Sequence, residues 1–307
     1  MKLLAIETAT GAVGCALWSD GALLASFSLV AGARHAEVLM PAIDYVCRQA
    51  GVAASDIEAV AVDNGPGLFT GLRVGMATAH AIAAARGIPA VGVSSLDALA
   101  HPQRQRPGLV AAVVDARRGE VFWALYASDG DRLEKLRPPA VADPEALATE
   151  LAALTQTGQR AQYLSPSGPG ERAQYLSPSG PGVLAVGDGA WRYRDQLAQA
   201  GAVVAGGAEM WPSPITVAEL GWQFLTDNGP PADLPAPLYL RHADVRIGWE
   251  EVSGRVERPD AGGYAAAGTT SPAGTAPGKT TGANGPRVGD EGPGRAGRTP
   301  GSARLGA

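Results

Sequence analysis

The side chains best suited to hold a metal are four histidines, His35, His80, His101 and His242, and no two of them stand one helical turn apart. A zinc site needs converging His, Cys or carboxylate ligands, and Cys15 and Cys47 are the only cysteines, with no second pair to close a knuckle. HExxH and GxSxG are both absent, which argues against metalloprotease chemistry and against a serine nucleophile on a sharp elbow. The remaining candidate is the stretch 64–75, NGPGLFTGLRVG. A glycine loop ahead of a helix can cradle a phosphate on its backbone N–H groups. The spacing of a dinucleotide fingerprint and the Gly-Lys-Ser/Thr of a P-loop are missing, however, so pattern alone favours plain punctuation between a strand and a helix.

The flanking segments place that loop. Residues 59–62, AVAV, suit a short buried strand, and residues 72–86 are long and rich in helix formers, with Thr70 as the expected cap. On this helix Gly75, Ala79 and Ala83 follow at intervals of four, a small-residue stripe that lets another helix come close. Read from pattern alone, the stripe packs inside its own domain. Before the loop, strands are predicted over 2–7, 13–18 and 22–29, with Asp20-Gly21 as a hairpin turn. A helix over 35–50 follows from the period of Val38, Leu39, Ala42, Ile43 and Val46. Pro41 inside it predicts a late start or a kink, Gly51 stops it, and His35 ahead of its apolar face reads as a cap or surface group.

After the loop helix come a strand over 90–93, a Ser94-Ser95 cap and a short helix to Ala100, then a proline-flanked linker, 101–107. A second unit opens with strands over 109–115 and 121–126 about the turn Arg117-Arg118-Gly119, followed by a helix from Asp143-Pro144-Glu145. RAQYLSPSGPG then occurs twice, at 160–170 and 172–182, and is read as a duplicated loop because two copies of so Pro- and Gly-rich a segment make no regular element. A strand over 183–186, the turn Gly187-Asp188-Gly189 and helices over 191–200 and 213–226 complete the unit. From Gly254 the chain is Gly, Pro, Thr and Ala with one aromatic, Tyr264, and is expected to be disordered.

The expected fold class is therefore α/β, with domains over 1–107 and 108–253 and a Gly/Pro-rich tail over 254–307. The 307 residues carry a net charge of −5, and removing the basic tail leaves the first 253 with 18 basic against 26 acidic side chains, a balance of −8. An acidic body disfavours broad binding to a polyanion. Two cysteines without a disulfide framework, a charged residue at Glu7 that breaks the first apolar run, and no stretch long enough to span a bilayer predict a cytoplasmic protein with no membrane association.

Two consecutive units opening with strands about a small-residue turn suggest the duplicated actin-like architecture of the actin, hexokinase and Hsp70 ATPase (ASKHA) superfamily. There a nucleotide's phosphates sit between two turns, here Glu7-Thr8-Ala9-Thr10-Gly11 and Asp115-Ala116-Arg117. The motifs LLAIETAT at Leu3, HAEVLMPAID at His35, GPGLFTGLRVG at Gly65, GVSSLDALA at Gly92 and VDARRGEVFWALY at Val114 resemble the TsaB (YeaZ) family. GDGAWRY at Gly187 and PLYLR at Pro237 extend the likeness to about residue 250. The family is a non-catalytic paralogue of TsaD in the bacterial synthesis of N6-threonylcarbamoyladenosine (t6A) at position 37 of tRNA.

The resemblance implies a scaffold that binds the TsaD-type transferase through the helices at 35–50 and 72–86, and forms a homodimer when that partner is absent. It reverses the reading of the small-residue stripe and gives an expected interface of His35, Leu39, Ile43, Gly67, Phe69, Thr70, Gly71, Arg73, Gly75 and Ala79. It implies a TsaE-type ATPase as a further partner, tRNA only through the complex, and no cofactor of its own, ATP and metal residing on partner subunits. The catalytic relatives hold metal through a His-x-x-x-His pair whose positions here are Ser95 and Leu99. The alternative is an active small-molecule kinase of the same superfamily, with Glu7 in place of its magnesium-organising Asp.

Overall fold

The computed structural model describes residues 1–32, 34–155 and 182–241. Lys2–Glu7 (β1), Ala12–Ser19 (β2) and Ala22–Val30 (β3) run as an antiparallel meander, and Ala59–Gly65 (β4) and Ala90–Ser94 (β5) join β1 in parallel, giving the order β3-β2-β1-β4-β5. The crossovers carry His35–Ala50 (α1) and Phe69–Arg86 (α2), and Ser95–Ala100 (α3) follows β5. Gly108–Arg117 (β6), Glu120–Ser128 (β7), Leu133–Ala142 (β8), Leu184–Val186 (β9) and Val203–Val204 (β10) repeat the scheme as β8-β7-β6-β9-β10. Pro144–Thr155 (α4), Asp188–Arg192 (α5) and Arg194–Gln199 (α6) belong to this second unit, and Pro214–Asn228 (α7) returns to the first sheet.

β1 is apolar without alternation because both its faces are covered. Leu4 and Ile6 face α1 and α2, with Leu39, Val46, Met76 and Ala79 in one core, while Leu3 and Ala5 meet Val217, Ala218 and Leu225 of α7 on the other side. Gly221 lets α7 approach so closely that an added Cβ would overlap Ala61. The second sheet packs Leu109, Val113 and Leu125 against Leu147, Leu151 and Leu197 of α4 and α6. Its other face lies on Leu96 and Leu99 of α3, which ties the two units together. Tyr126 Oη donates to Asp97 at 2.7 Å across the same seam, and Lys135 pairs with that carboxylate.

Several local expectations are corrected. α1 runs unbroken from His35, because Pro41 sits in its second turn on the exposed side, where a missing N–H costs least. α2 begins at Phe69 rather than after a Thr70 cap; Leu68 is its N-cap and no side chain caps it. Ser94 makes no cap bond either. The helix expected over 191–200 is two short helices, α5 and α6. β8 was not legible at all, since LEKLRPPAVA carries three charges and a Pro-Pro pair, which only an edge strand with a register shift tolerates. The duplicated loop (apart from Gly182), the tail and His242 lie outside the described residues.

Candidate functional site

Glu7 and Asp63 end the parallel strands β1 and β4 at the point where the chain order reverses, the usual ligand position of an open α/β sheet. Both are fully buried. Glu7 Oε1 accepts from the Ala9 N–H at 3.1 Å and the Thr10 hydroxyl at 3.3 Å. Asp63 Oδ1 accepts from the Gly65 N–H at 2.8 Å and from Ser95 Oγ at 2.6 Å. The two remaining oxygens, Glu7 Oε2 and Asp63 Oδ2, have no hydrogen-bond partner among the described residues, and each carboxyl lies within electrostatic reach of the other. Two carboxyls buried together and short of donors do not both ionise, and a proton kept between them relieves both. Burial first, then the Asp63 charge, pushes Glu7 well above the usual carboxylate range. Burial also raises Asp63, against the donors that surround it.

The folded chain thus keeps on Glu7 a proton that the unfolded chain releases near pH 4.3. A raised acid contributes its stability fully below the unfolded pKa and loses it as pH rises through the folded one. Melting temperature is therefore expected to fall as pH rises from about 4.3 toward the folded pKa. Glu7→Gln should flatten that dependence, since its carbonyl can accept from Ala9 while its amide donates to Asp63. Melting curves of both proteins from about pH 4.5 upward check this, and a variant whose stability falls with pH as steeply as the parent's would contradict the raised Glu7.

The opposing turn is occupied by its own side chains. Asp188 Oδ1 accepts the Asp115 N–H at 3.0 Å, using the backbone donor that would face a phosphate. Burial lifts Asp188 to about 6. Asp115 is held by Arg117 at 3.1 Å and Arg192 at 3.3 Å. Across the cleft the Trp211 indole lies on Gly11, 3.0 Å from where a Cβ would stand. Residue pattern carries no sign of this contact, because Trp211 lies in no periodic segment.

The glycine loop serves contact with its own chain. A Cβ on Gly67 would overlap the carbonyl of Ala9, one on Gly71 that of Thr8, and one on Gly75 the Thr8 hydroxyl. The Leu68 N–H donates to Ala9 O at 2.7 Å, and Thr8 Oγ1 donates to Gly71 O at 2.8 Å. His35 is buried, not a cap or surface group, and its Nε2 donates to Thr10 O at 2.7 Å. His80 likewise donates to Pro235 O, and burial keeps His101 neutral beside Glu219. Ser95 is held by Asp63, and Leu99 lies in the core under α3.

The expected interface divides. Leu39, Ile43, Gly71, Gly75 and Ala79 are buried with His35 in the first unit's own core, so these six cannot line a seam with a partner; this part of the expectation is corrected. Phe69, Thr70 and Arg73 are exposed and Gly67 is half-buried. The row that α2 presents outward is Thr70, Arg73, Ala77, Ala81 and Ala84. On α1 Met40 is exposed, and the Tyr45 ring leans on Phe27 of β3.

Two sheets of identical strand order, β3-β2-β1-β4-β5 and β8-β7-β6-β9-β10, give the duplicated actin-like ASKHA fold. A family model, TsaD, tRNA N6-adenosine threonylcarbamoyltransferase, matches residues 29–205, and the chain belongs to that family. Within it the likeness is to the TsaB (YeaZ) group. The tRNA threonylcarbamoyladenosine biosynthesis protein TsaB of Escherichia coli is 29% identical over 83% of this chain and 100% of its own length. The protein of the same name in Bacillus subtilis is 34% identical over 45% of this chain and 60% of its own. The solved structure of YeaZ from Pseudomonas aeruginosa superposes with a TM-score of 0.60 at 27% identity, covering 78% of this chain and 99% of that one.

Proposed function

We propose that this chain takes part in t6A synthesis on tRNA as a non-catalytic scaffold that binds and supports a TsaD-type transferase. The observation that carries the reading is the likeness to a TsaB along that protein's whole length. The cleft supports the non-catalytic part. Trp211 lies on the first turn, Asp188 takes the backbone donor of the second, and Ser95 and Leu99 stand where the resemblance puts a metal-binding histidine pair. A kinase of this superfamily needs both turns open to phosphate. The outward row Thr70, Arg73, Ala77 and Ala81, with one charge among small side chains, offers a helical surface for the transferase, or for a second copy when the transferase is absent. A TsaE-type ATPase joins the pair, ATP and metal sit on the partners, tRNA is met only through the assembly, and the work is done in the cytoplasm.

Mixing the purified chain with the TsaD-type transferase of its own organism should give a stable complex by native mass spectrometry. Threonylcarbamoyl transfer to tRNA should require both proteins. Transfer by this chain alone, or ATP-dependent phosphorylation of a small sugar or acid without the transferase, would overturn the proposal.

A further inference from the structure

An open sheet has two edges, and the four edges of this chain are unequal. The first sheet ends at β3 and β5, the second at β8 and β10. β5 spans five residues and β10 two, too few to offer much pairing. β8, which holds the place of β3 in the second sheet, carries Glu134, Lys135, Arg137 and the pair Pro138-Pro139, the charges and missing N–H groups that keep other strands off. β3 has none of these. Its nine residues, ALLASFSLV, include no charge and no proline, and Leu23, Leu24, Leu29 and Val30 are exposed, Val30 at 62%. Its register shift, opposite Leu17 and Trp18, leaves Ala25 to Val30 in regular pairing with β2. Among the described residues no strand lies on the outer side of β3. An edge so long and apolar draws another strand.

The residues of β3 also match themselves. Ala25 and Phe27 pack toward the core under α1, and Leu29, which pairs with Val13 of that core, shares their side. Ser26 and Ser28 take the opposite side by alternation. Two copies set antiparallel about a twofold axis through Phe27 would bring Phe27 against Phe27, Ala25 against Leu29 and Ser26 against Ser28. Apolar groups then meet on one face and hydroxyls on the other, with no like charges opposed. Centring the axis on Ser26 would instead set Leu24 against Ser28, and centring it on Ser28 would set Ser26 against Val30. The Tyr45 ring, edge-on to Phe27 at 6.4 Å, would close over the Phe27 pair from α1 of each copy.

We infer that β3 is a pairing surface for a second copy of this chain, which joins two first sheets into one of ten strands. The occupant follows from the self-match, since an isologous interface must suit its own residues, and a charge at the centre of the strand would be opposed to itself. The surface is distinct from the outward row of α2. That helix lies over β1, β4 and β5, with β2 between it and β3, so the inference does not rest on the scaffold reading. A chain with both surfaces open can assemble beyond a dimer.

The test uses the full chain carrying Ala77→Arg, which closes the α2 surface and leaves β3 untouched. It should sediment as a concentration-dependent dimer. On that background Ser26→Lys with Ser28→Lys sets lysine against lysine twice and should weaken the dimer at least about tenfold. Ser26→Lys with Ser28→Glu sets lysine against glutamate at the same two places and should restore it. Both serines are exposed, so both double variants should keep the parent's circular dichroism spectrum. Hydrogen exchange should slow over residues 24–30 as the concentration rises through dimer formation. These readouts stand whether or not the transferase binds, which separates failure here from failure of the scaffold reading. A chain that is monomeric at about 100 μM, a dimer indifferent to the two lysines, or β3 amides protected only by an added partner protein would overturn the inference.

Discussion

Ala79→Arg is expected to unfold the first unit rather than to release a partner. Ala79 is 0% exposed and shares a core with Leu4, Ile6, Leu39, Val60 and Met76. Next to it on the same face, Gly75 already touches Thr8 so closely that no Cβ fits. A guanidinium forced into that contact has no carboxylate to meet and no path to water. An unpaired buried charge costs on the order of 3–5 kcal/mol, a large part of the about 5–15 kcal/mol that holds a domain together. Circular dichroism should show lost cooperativity or a melting temperature lower by ten degrees or more, the scale expected of such a loss in a chain of this size. Gly71→Val, which drives side-chain atoms into the Thr8 carbonyl, should do the same. A soluble Ala79→Arg protein that melts like the parent would mean that α2 is turned the other way.

How α2 is turned was the least legible feature of the sequence, for a physical reason. Beyond its first turn the helix is mostly Ala, and the buried row Gly75, Ala79, Ala83 and the exposed row Ala77, Ala81, Ala84 have the same character. Periodicity needs contrast between faces, and here there is little. α1 is the opposite case: Leu39, Ile43 and Val46 alternate with Glu37, Asp44 and Arg48, and its bounds and buried face could be read directly. The β1, β4 and β6 runs were legible because strands covered on both faces are apolar throughout. β8 was hidden because an edge strand tolerates the charges and prolines that elsewhere signal a loop.

The site shows the same division. Glu7 could be picked out as a charge at the end of an apolar strand, whereas Gly67 and Gly71, expected at a partner interface, lie against the Ala9 and Thr8 carbonyls of their own chain. Asp63 carried the same signal at the end of β4, but its proton-sharing with Glu7 depends on two strands being neighbours, which is tertiary information. Trp211 on Gly11 joins residues 200 positions apart in a segment without pattern, and only the folded chain reveals it.

Ala77→Arg and Ala81→Arg are expected to give the converse of Ala79→Arg: a normal fold and a lost partner. Both side chains point outward, so in the free chain the new guanidiniums remain in water and cost little, within about 0.5 kcal/mol. In the proposed complex their positions lie in a helix-to-helix seam whose small side chains set a close approach. An arginine there either holds the helices apart or is buried without a partner, at several kcal/mol. Each 1.4 kcal/mol is a factor of ten, so affinity for the TsaD-type transferase should fall at least about a hundredfold. A homodimer formed through the same face should dissociate, which sedimentation of the free chain would register. Exposed Arg86, at the far end of α2, supplies the control: Arg86→Ala should leave both readouts near the parent values. Partner binding that survives both alanine variants would move the scaffold surface off α2, and since Met40 is the next exposed apolar group, Met40→Asp would then decide whether α1 carries it instead.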